Sequence, residues 1–97
     1  MTVTSPADAG VEIREVDRAD LLEVLRIERA SFPQPWPYSA FEGFLDEPGF
    51  LVAVEAGQVA GYVVADVTPN FGRDIGHVKD LAVAPEARGR GVGRTLL

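Results

Sequence analysis

Three apolar segments in the second half of this 97-residue chain follow one another with no helix between them. They cover residues 50–55, 58 to about 67, and about 75 to 83, and we interpret each as a β-strand. Residues 56–57, Ala-Gly, predict a tight connection between the first two strands. Residues 68–73 contain Pro, Asn and Gly and predict a loop. Three consecutive strands joined in this way predict an antiparallel meander.

The first half of the chain adds one strand and two helices. Residues 11–16 alternate strictly between apolar and polar side chains, which predicts a half-buried strand. Asp17 is suited to cap a helix over residues 18–31, and three prolines between positions 33 and 37 exclude regular structure there. The segment Ser-Ala-Phe-Glu at 39–42 has the pattern of a capping box and predicts a second, short helix. With a helix opening at 92–97, the order is β-α-α-β-β-β-α, an α+β fold in residues 11–97 after a disordered lead at 1–10.

Composition excludes several classes of function. The net charge of -6 argues against binding to nucleic acid or to an anionic membrane. No apolar run approaches the roughly 20 residues that span a bilayer, and the N-terminus lacks the pattern of a secretory signal. There are no cysteines, so disulfides, thiolate metal sites and a cysteine nucleophile are excluded. We expect a cytoplasmic location and no bound metal.

A glycine- and arginine-rich turn follows the last strand. It reads Arg88, Gly89, Arg90, Gly91, Val92, Gly93 and Arg94, in an otherwise acidic chain. Glycines at the start of a helix let the backbone approach a ligand, and the N–H groups there favour an anion. A flexible connection with no ligand is the alternative, but the interleaved arginines favour a diphosphate. The spacing is neither the dinucleotide fingerprint nor a P-loop, which argues against an ATP- or NAD-binding module.

Read as R-x-x-G-x-G over Arg88, Gly91 and Gly93, this turn is similar to the acetyl-CoA motif of the GNAT acetyltransferases. The resemblance extends over the segment 76–97 and over the order of predicted elements, and covers about residues 11 to 97. Residues 27–33, with Trp36 and Tyr38, resemble the corresponding segment of protein N-terminal acetyltransferases, in particular the ribosomal-protein-alanine N-acetyltransferases. The family fold continues beyond the helix that opens at 92–97, so we expect this chain to hold an incomplete GNAT domain.

The resemblance implies which residues contact acetyl-CoA. In the family the central strand leaves main-chain groups open to the pantetheine arm, and by position these belong to Leu81, Ala82 and Val83. The Val83 N–H would lie near the thioester carbonyl. The seven residues of the turn from Arg88 to Arg94 would hold the diphosphate. The alternative for the strand is a purely structural one, and both interpretations are compatible, because backbone contacts leave the side chains free to pack.

The same resemblance suggests the residues that handle the acceptor amine. His77, the only histidine, matches a position that helps to remove the amine proton in archaeal relatives, although a histidine at a strand end is also often only a surface residue. Gln34, Trp36 and Tyr38 resemble residues that hold the first residues of a peptide, whereas a hydrophobic plug is the alternative for Trp36. Some relatives carry an acid at the position of Gln34.

Three further charged residues are expected to be structural. Glu28 lies on the apolar face of the first helix, where it either lines the substrate groove or caps an edge of the core; we favour the core. Lys79 and Asp80 are expected to mark the solvent side of the last strand. Neither is predicted to take part in catalysis.

The resemblance therefore predicts an acetyl-CoA-dependent N-acetyltransferase acting on a primary amine. The favoured acceptor is the α-amino group of a protein N-terminus. Two alternatives stay open: an enzyme that acetylates a small-molecule amine, and a truncated, non-catalytic remnant that binds CoA.

Overall fold

The computed structural model describes residues 10–70, 73–88 and 95–96. Four strands form one sheet: β1 is Val11–Glu15, β2 is Phe50–Glu55, β3 is Gln58–Asn70 and β4 is Arg73–Val83. Two helices precede β2: α1 is Leu21–Ser31 and α2 is Tyr38–Glu42. Single 3-10 turns lie at Arg18–Asp20 and Pro85–Ala87, and Thr95 and Leu96 are helical. No helix of the described ranges is long and apolar enough to span a membrane.

The sheet is antiparallel throughout, with its strands in chain order β1-β2-β3-β4. This confirms the predicted meander and adds the first strand to one edge of it. The predicted loop is wrong at residues 68–70 and 73, because β3 and β4 continue to pair as far as Asn70 opposite Arg73, and residues 71–72 lie outside the described part of the chain. A proline within the paired region did not end the strand, since the hairpin partner holds it in register.

The polar residues before α1 set the start of that helix. Asp20 accepts two hydrogen bonds from the guanidinium of Arg14, at 2.8 and 3.0 Å, and one from the Asp17 N–H at 2.7 Å. These bonds hold residues 18–20 as a 3-10 turn, and the α-helix begins at Leu21 rather than at Arg18. The Arg14 guanidinium holds the pKa of Asp20 below its usual range.

The core lies between the sheet and the two helices. From α1 it takes three residues with no exposed surface, Leu21, Val24 and Ile27, and from α2 it takes Phe41. Phe41 packs within about 6 Å of three other aromatic rings. The predicted capping box at 39–42 is wrong, because α2 already begins at Tyr38 with Pro37 at its N-cap. Burial of Phe41 positions this helix, and with it the proline-rich loop.

Candidate functional site

A β-bulge in β4 decides which side chains reach the candidate site. Val64 pairs with Asp80, but the next residue of β3, Ala65, pairs with Val78, so Lys79 is an extra residue on β4. Such a bulge reverses the alternation of faces along the strand beyond it. Asp66 pairs with His77 and lies two residues after Val64. His77 and Asp80 therefore lie on the same face of the sheet, although a spacing of three would separate them in a regular strand.

The backbone of β4 directs polar groups away from β3 at two of the three residues expected to contact acetyl-CoA. The Ala84 N–H bonds to the Ala60 carbonyl at 2.7 Å. In an antiparallel pair, alternate residues point both backbone groups to the same side. Ala82 consequently faces β3, whereas the N–H and C=O groups of Leu81 and Val83 point to the outer edge of β4. Two of these groups are engaged: the Leu81 N–H by a side chain, and the Val83 carbonyl by Arg88.

A cavity of about 370 Å³ runs along this edge. We call it the edge cavity; it is lined by Ser31, Phe32, Leu81, Ala82, Val83 and Arg88. The Arg88 side chain spans one end of it, because its Nε donates to the Val83 carbonyl at 3.0 Å and its Nη2 donates to the Ser31 hydroxyl at 2.9 Å. The fold thus brings together four of the residues predicted to bind the cosubstrate.

The remaining residues of the predicted diphosphate turn lie outside the described part of the chain. They are Gly89, Arg90, Gly91, Val92, Gly93 and Arg94. The 3-10 turn at Pro85–Ala87 ends with Arg88 in an extended conformation, which leads the chain into this segment.

A second cavity, of about 520 Å³, lies farther along β4 towards its N-terminal end. We call it the aromatic cavity; it is lined by Trp36, Pro37, Ala40, Phe44, His77, Val78 and Lys79. The Trp36 ring stacks on Phe44 with centroids 5.8 Å apart, so the proline-rich loop presents a fixed aromatic wall. Trp36 and His77 thus share one cavity. Gln34 is exposed and Tyr38 is half-buried, and neither lines it.

Behind the aromatic wall lies a buried carboxylate. Glu28 is 1% exposed, and both of its oxygens are occupied. Oε2 accepts the Trp36 N–H at 2.8 Å, and Oε1 accepts a short hydrogen bond from the Tyr62 hydroxyl. Glu28 therefore lies within the core, as favoured from the sequence. It also holds the loop that carries Trp36, which the sequence did not predict.

Asp80 joins this arrangement, and its predicted place on the solvent side is wrong. Its Oδ2 lies 3.5 Å from the Tyr62 hydroxyl oxygen, and its Oδ1 accepts the Leu81 N–H at 3.0 Å. Burial, followed by the neighbouring Glu28 carboxyl, raises the pKa of Asp80 to about 7. Burial also raises the pKa of Tyr62 well above its ordinary value, so this hydroxyl keeps its proton. Lys79, in contrast, is exposed and lies 3.1 Å from Asp66.

Asp80 lies on β4 between the two cavities. Residues 77–79 line the aromatic cavity and residues 81–83 line the edge cavity. A long ligand in the edge cavity and a second ligand in the aromatic cavity would consequently meet near Asp80. The sequence pattern indicated Glu28, an acid on an apolar helix face, but not Asp80, whose orientation depends on its pairing with the buried Val64.

Comparison with known proteins places this arrangement in a family. The model of the acetyltransferase (GNAT) family matches residues 20–97. An N-alpha-acetyltransferase of Sulfolobus acidocaldarius is 32% identical over 107 aligned positions, which cover 100% of this chain and 64% of that protein. A mycothiol acetyltransferase of Pseudarthrobacter chlorophenolicus is 45% identical over 58 residues, 57% of this chain and 18% of that protein.

A solved structure supports the same fold. The crystal structure of Ard1 from Thermoplasma volcanium matches with a TM-score of 0.75 at 27% identity, over 91% of this chain and 59% of that one. The chain spans 53% to 64% of the length of the curated relatives that align along most of it. The described α+β sheet and helices are therefore the GNAT fold in the part that these proteins share.

Proposed function

Because this chain belongs to the GNAT acetyltransferase family, we propose that the protein transfers the acetyl group of acetyl-CoA to a primary amine, the α-amino group of a protein N-terminus. The observation that carries this proposal is the edge of β4. At this edge, main-chain groups point away from the sheet. On one side of them lies the edge cavity, which suits a long cosubstrate, and on the other side lies the aromatic cavity, which suits an acceptor.

In this proposal the pantetheine arm of acetyl-CoA lies in the edge cavity. The outward Leu81 carbonyl and Val83 N–H fit its amides, since an extended amide chain pairs with a strand edge as another strand would. The Val83 N–H is the proposed donor to the thioester carbonyl, whose oxygen gains negative charge during acyl transfer. The diphosphate would lie at the turn from Arg88 to Arg94, where glycine N–H groups and guanidinium groups favour an anion.

The acceptor amine is proposed to enter through the aromatic cavity. Trp36 and Pro37 supply apolar walls for the first side chain of a peptide. Gln34, on the same loop, and Tyr38, at the start of α2, would contact the residues that follow. His77 lines this cavity and is the proposed base for the amine proton. The nitrogen then attacks the thioester carbon, the C–N bond forms, the C–S bond breaks, and the thiolate takes up a proton.

The assignment to an α-amino group is supported by the relatives that align over most of this chain, which include N-alpha-acetyltransferases of three archaea. The mycothiol acetyltransferase favours a second candidate, a small-molecule amine as acceptor. A peptide series separates the two. A peptide acceptor predicts that KM depends on the second and third residues, whereas a small-molecule acceptor predicts that it does not.

The test has a binding part and a transfer part. Calorimetric titration with acetyl-CoA is expected to show binding that is lost in the double variant Arg88→Ala, Gly91→Ala. Arg18→Ala is the matched control, because it removes another exposed arginine, which lies in the 3-10 turn before α1 and pairs with Glu42. Thiol release with full-length protein should then require a peptide with a free N-terminus. Unchanged acetyl-CoA affinity in the double variant would contradict the cosubstrate site.

A non-catalytic remnant makes a different prediction for the same assays. It would bind CoA without releasing thiol in the presence of any amine, peptide or small molecule. For the base, His77→Gln is expected to lower kcat with little change in the KM for acetyl-CoA. Wild-type kcat in this variant would remove His77 from the mechanism.

A further inference from the structure

Three polar side chains from three different elements meet between the two cavities. Glu28 comes from α1, Tyr62 from β3 and Asp80 from β4, and we call them the carboxyl cluster. Among the ion pairs of the described residues, none includes Glu28 or Asp80. The two carboxyl groups thus face each other across a single hydroxyl, and no cation of the described residues pairs with either of them.

Counting protons shows how the cluster is held together. Tyr62 has one hydroxyl proton and donates it to Glu28. Its oxygen can still accept a hydrogen bond, but Asp80, 3.5 Å away, has a proton to donate only when its carboxyl is neutral. Two ionised carboxylates in one buried site repel each other, so such pairs hold one proton between them. The order Asp80 to Tyr62 to Glu28 is then a continuous chain of hydrogen bonds.

The proposed reaction needs more than one proton acceptor. The substrate nitrogen arrives as an ammonium group with three protons and leaves as an amide with one. It therefore loses two protons, of which one goes to the thiolate sulfur and one to solvent. A single imidazole takes one proton at a time, so a second acceptor near the reacting nitrogen would take the proton that His77 does not.

We propose that the carboxyl cluster is this second acceptor, with Asp80 as the group that takes the proton, directly or through one water molecule. This inference rests on the proposed function. The bulge at Lys79 places Asp80 on the same face as His77, between the two cavities. In the ionised state Asp80 accepts one proton from the nitrogen. The protonated carboxyl then donates a hydrogen bond to the Tyr62 hydroxyl, which donates to Glu28, until the proton passes to water.

Among the residues that the structure describes, few charged or titratable groups lie near Asp80. They are Glu28 from α1, Tyr62 from β3, and His77 and Lys79 from its own strand; the charge of Lys79 is paired with Asp66. Burial and the Glu28 carboxyl raise the pKa of Asp80, whereas the Leu81 N–H lowers it. A change at Glu28 should consequently shift the titration of Asp80 without removing the acceptor.

The test is the pH dependence of kcat/KM in full-length protein. Wild type is expected to lose activity towards acid with a step near neutral pH, because a protonated Asp80 accepts no further proton. In the His77→Gln background, where no imidazole contributes, Asp80→Asn should remove that step and lower kcat by about 100-fold, the usual size of a general-base effect. Glu28→Gln should move the step to lower pH. Glu23→Gln, an exposed acid of α1 that pairs with Arg26, is the matched control and should resemble wild type.

The position of the step separates a catalytic role from a merely structural one. A structural role for Asp80 would lower activity at all pH values without moving the step. His77→Gln should lower the rate and keep the step. The proposal is overturned if, in the His77→Gln background, Asp80→Asn and Glu28→Gln both keep the step of that background.

A measurement that needs no activity covers the case in which a variant does not fold. The carboxyl carbons of Asp and Glu in folded wild-type protein can be followed by ¹³C NMR during a pH titration. One of them is expected to titrate near neutral pH and to respond to Tyr62→Phe. If all of them titrate in the ordinary acidic range, the cluster holds no proton and the inference is wrong. If wild type transfers no acetyl group to any amine, the proposed function fails, and the NMR titration still decides on the cluster.

Discussion

Raising the pH should destabilise this fold through Asp80, and the size of the effect follows from the carboxyl cluster. The pKa of Asp80 is about 7 in the folded chain, against 3.8 for a free side chain. The folded state therefore holds a proton that the unfolded chain releases, and the free energy of unfolding falls as the pH rises between these values. This stabilisation is complete below about pH 4 and is lost above about pH 7.

The loss in free energy of unfolding depends on how much of this pH range an experiment covers. An experiment from about pH 5 to pH 8 covers roughly two pH units below the folded pKa of about 7. At about 1.4 kcal/mol per unit, these two units correspond to a loss of at most about 3 kcal/mol. Because Asp80 is only half-buried, water screens part of its interaction with Glu28. We expect a loss of about 1 to 2 kcal/mol after this discount.

Urea unfolding of wild type and of Asp80→Asn at both pH values measures this loss. The wild-type free energy of unfolding should fall by the stated amount, whereas that of Asp80→Asn should stay nearly constant, since the amide does not titrate. Asp66→Asn is the control, because it removes an exposed carboxylate of the neighbouring strand and should retain the wild-type decrease. Equal pH dependence of wild type and Asp80→Asn would refute the reasoning.

Three further predictions concern stability. Phe41→Ala should cost about 3 to 5 kcal/mol, because the ring is fully buried against three other aromatic rings; a loss below about 1 kcal/mol in thermal or urea unfolding would show that the site collapses around the cavity. Gly49→Ala should shift the unfolding midpoint strongly downward, since the added Cβ would lie 2.0 Å from the carbonyl oxygen of Ala65, a backbone atom; a midpoint like that of wild type would contradict this packing. Asp20→Asn should cost about 1 to 3 kcal/mol near neutral pH, because it weakens the two bonds from Arg14. The lowered pKa of Asp20 means that its stabilisation is lost as the pH falls below about 4, so the two proteins should become equally stable in acid.

Local patterns in the sequence account for most of the fold. Apolar alternation and short connections predicted the meander, and helical spacing predicted α1, because these signals act between residues close in the chain. The errors were local as well. Residues 68–70 and 73 belong to strands although Pro and Asn favour a loop, since cross-strand pairing outweighed their weak individual preferences.

The sequence also predicted part of the candidate site. The sequence predicted that Leu81, Val83 and Arg88 belong together, and the structure places them around the edge cavity. It also predicted Trp36 and His77 from family likeness, and they share the aromatic cavity. The cosubstrate and base roles of these residues stay predictions that the binding and kinetic experiments test.

By itself, the sequence determined the order of strands and helices and the motif that indicates the family, because both are encoded in short stretches of chain. The tertiary structure alone decided the environment of Asp80. Pairing with the buried Val64 places the Asp80 side chain on the same face of the sheet as Tyr62 and near Glu28, which lie 18 and 52 positions earlier in the sequence. Pairing register and burial are properties of the assembled sheet and helix, so an acid that reads as solvent-facing in the sequence becomes a half-buried group with a raised pKa.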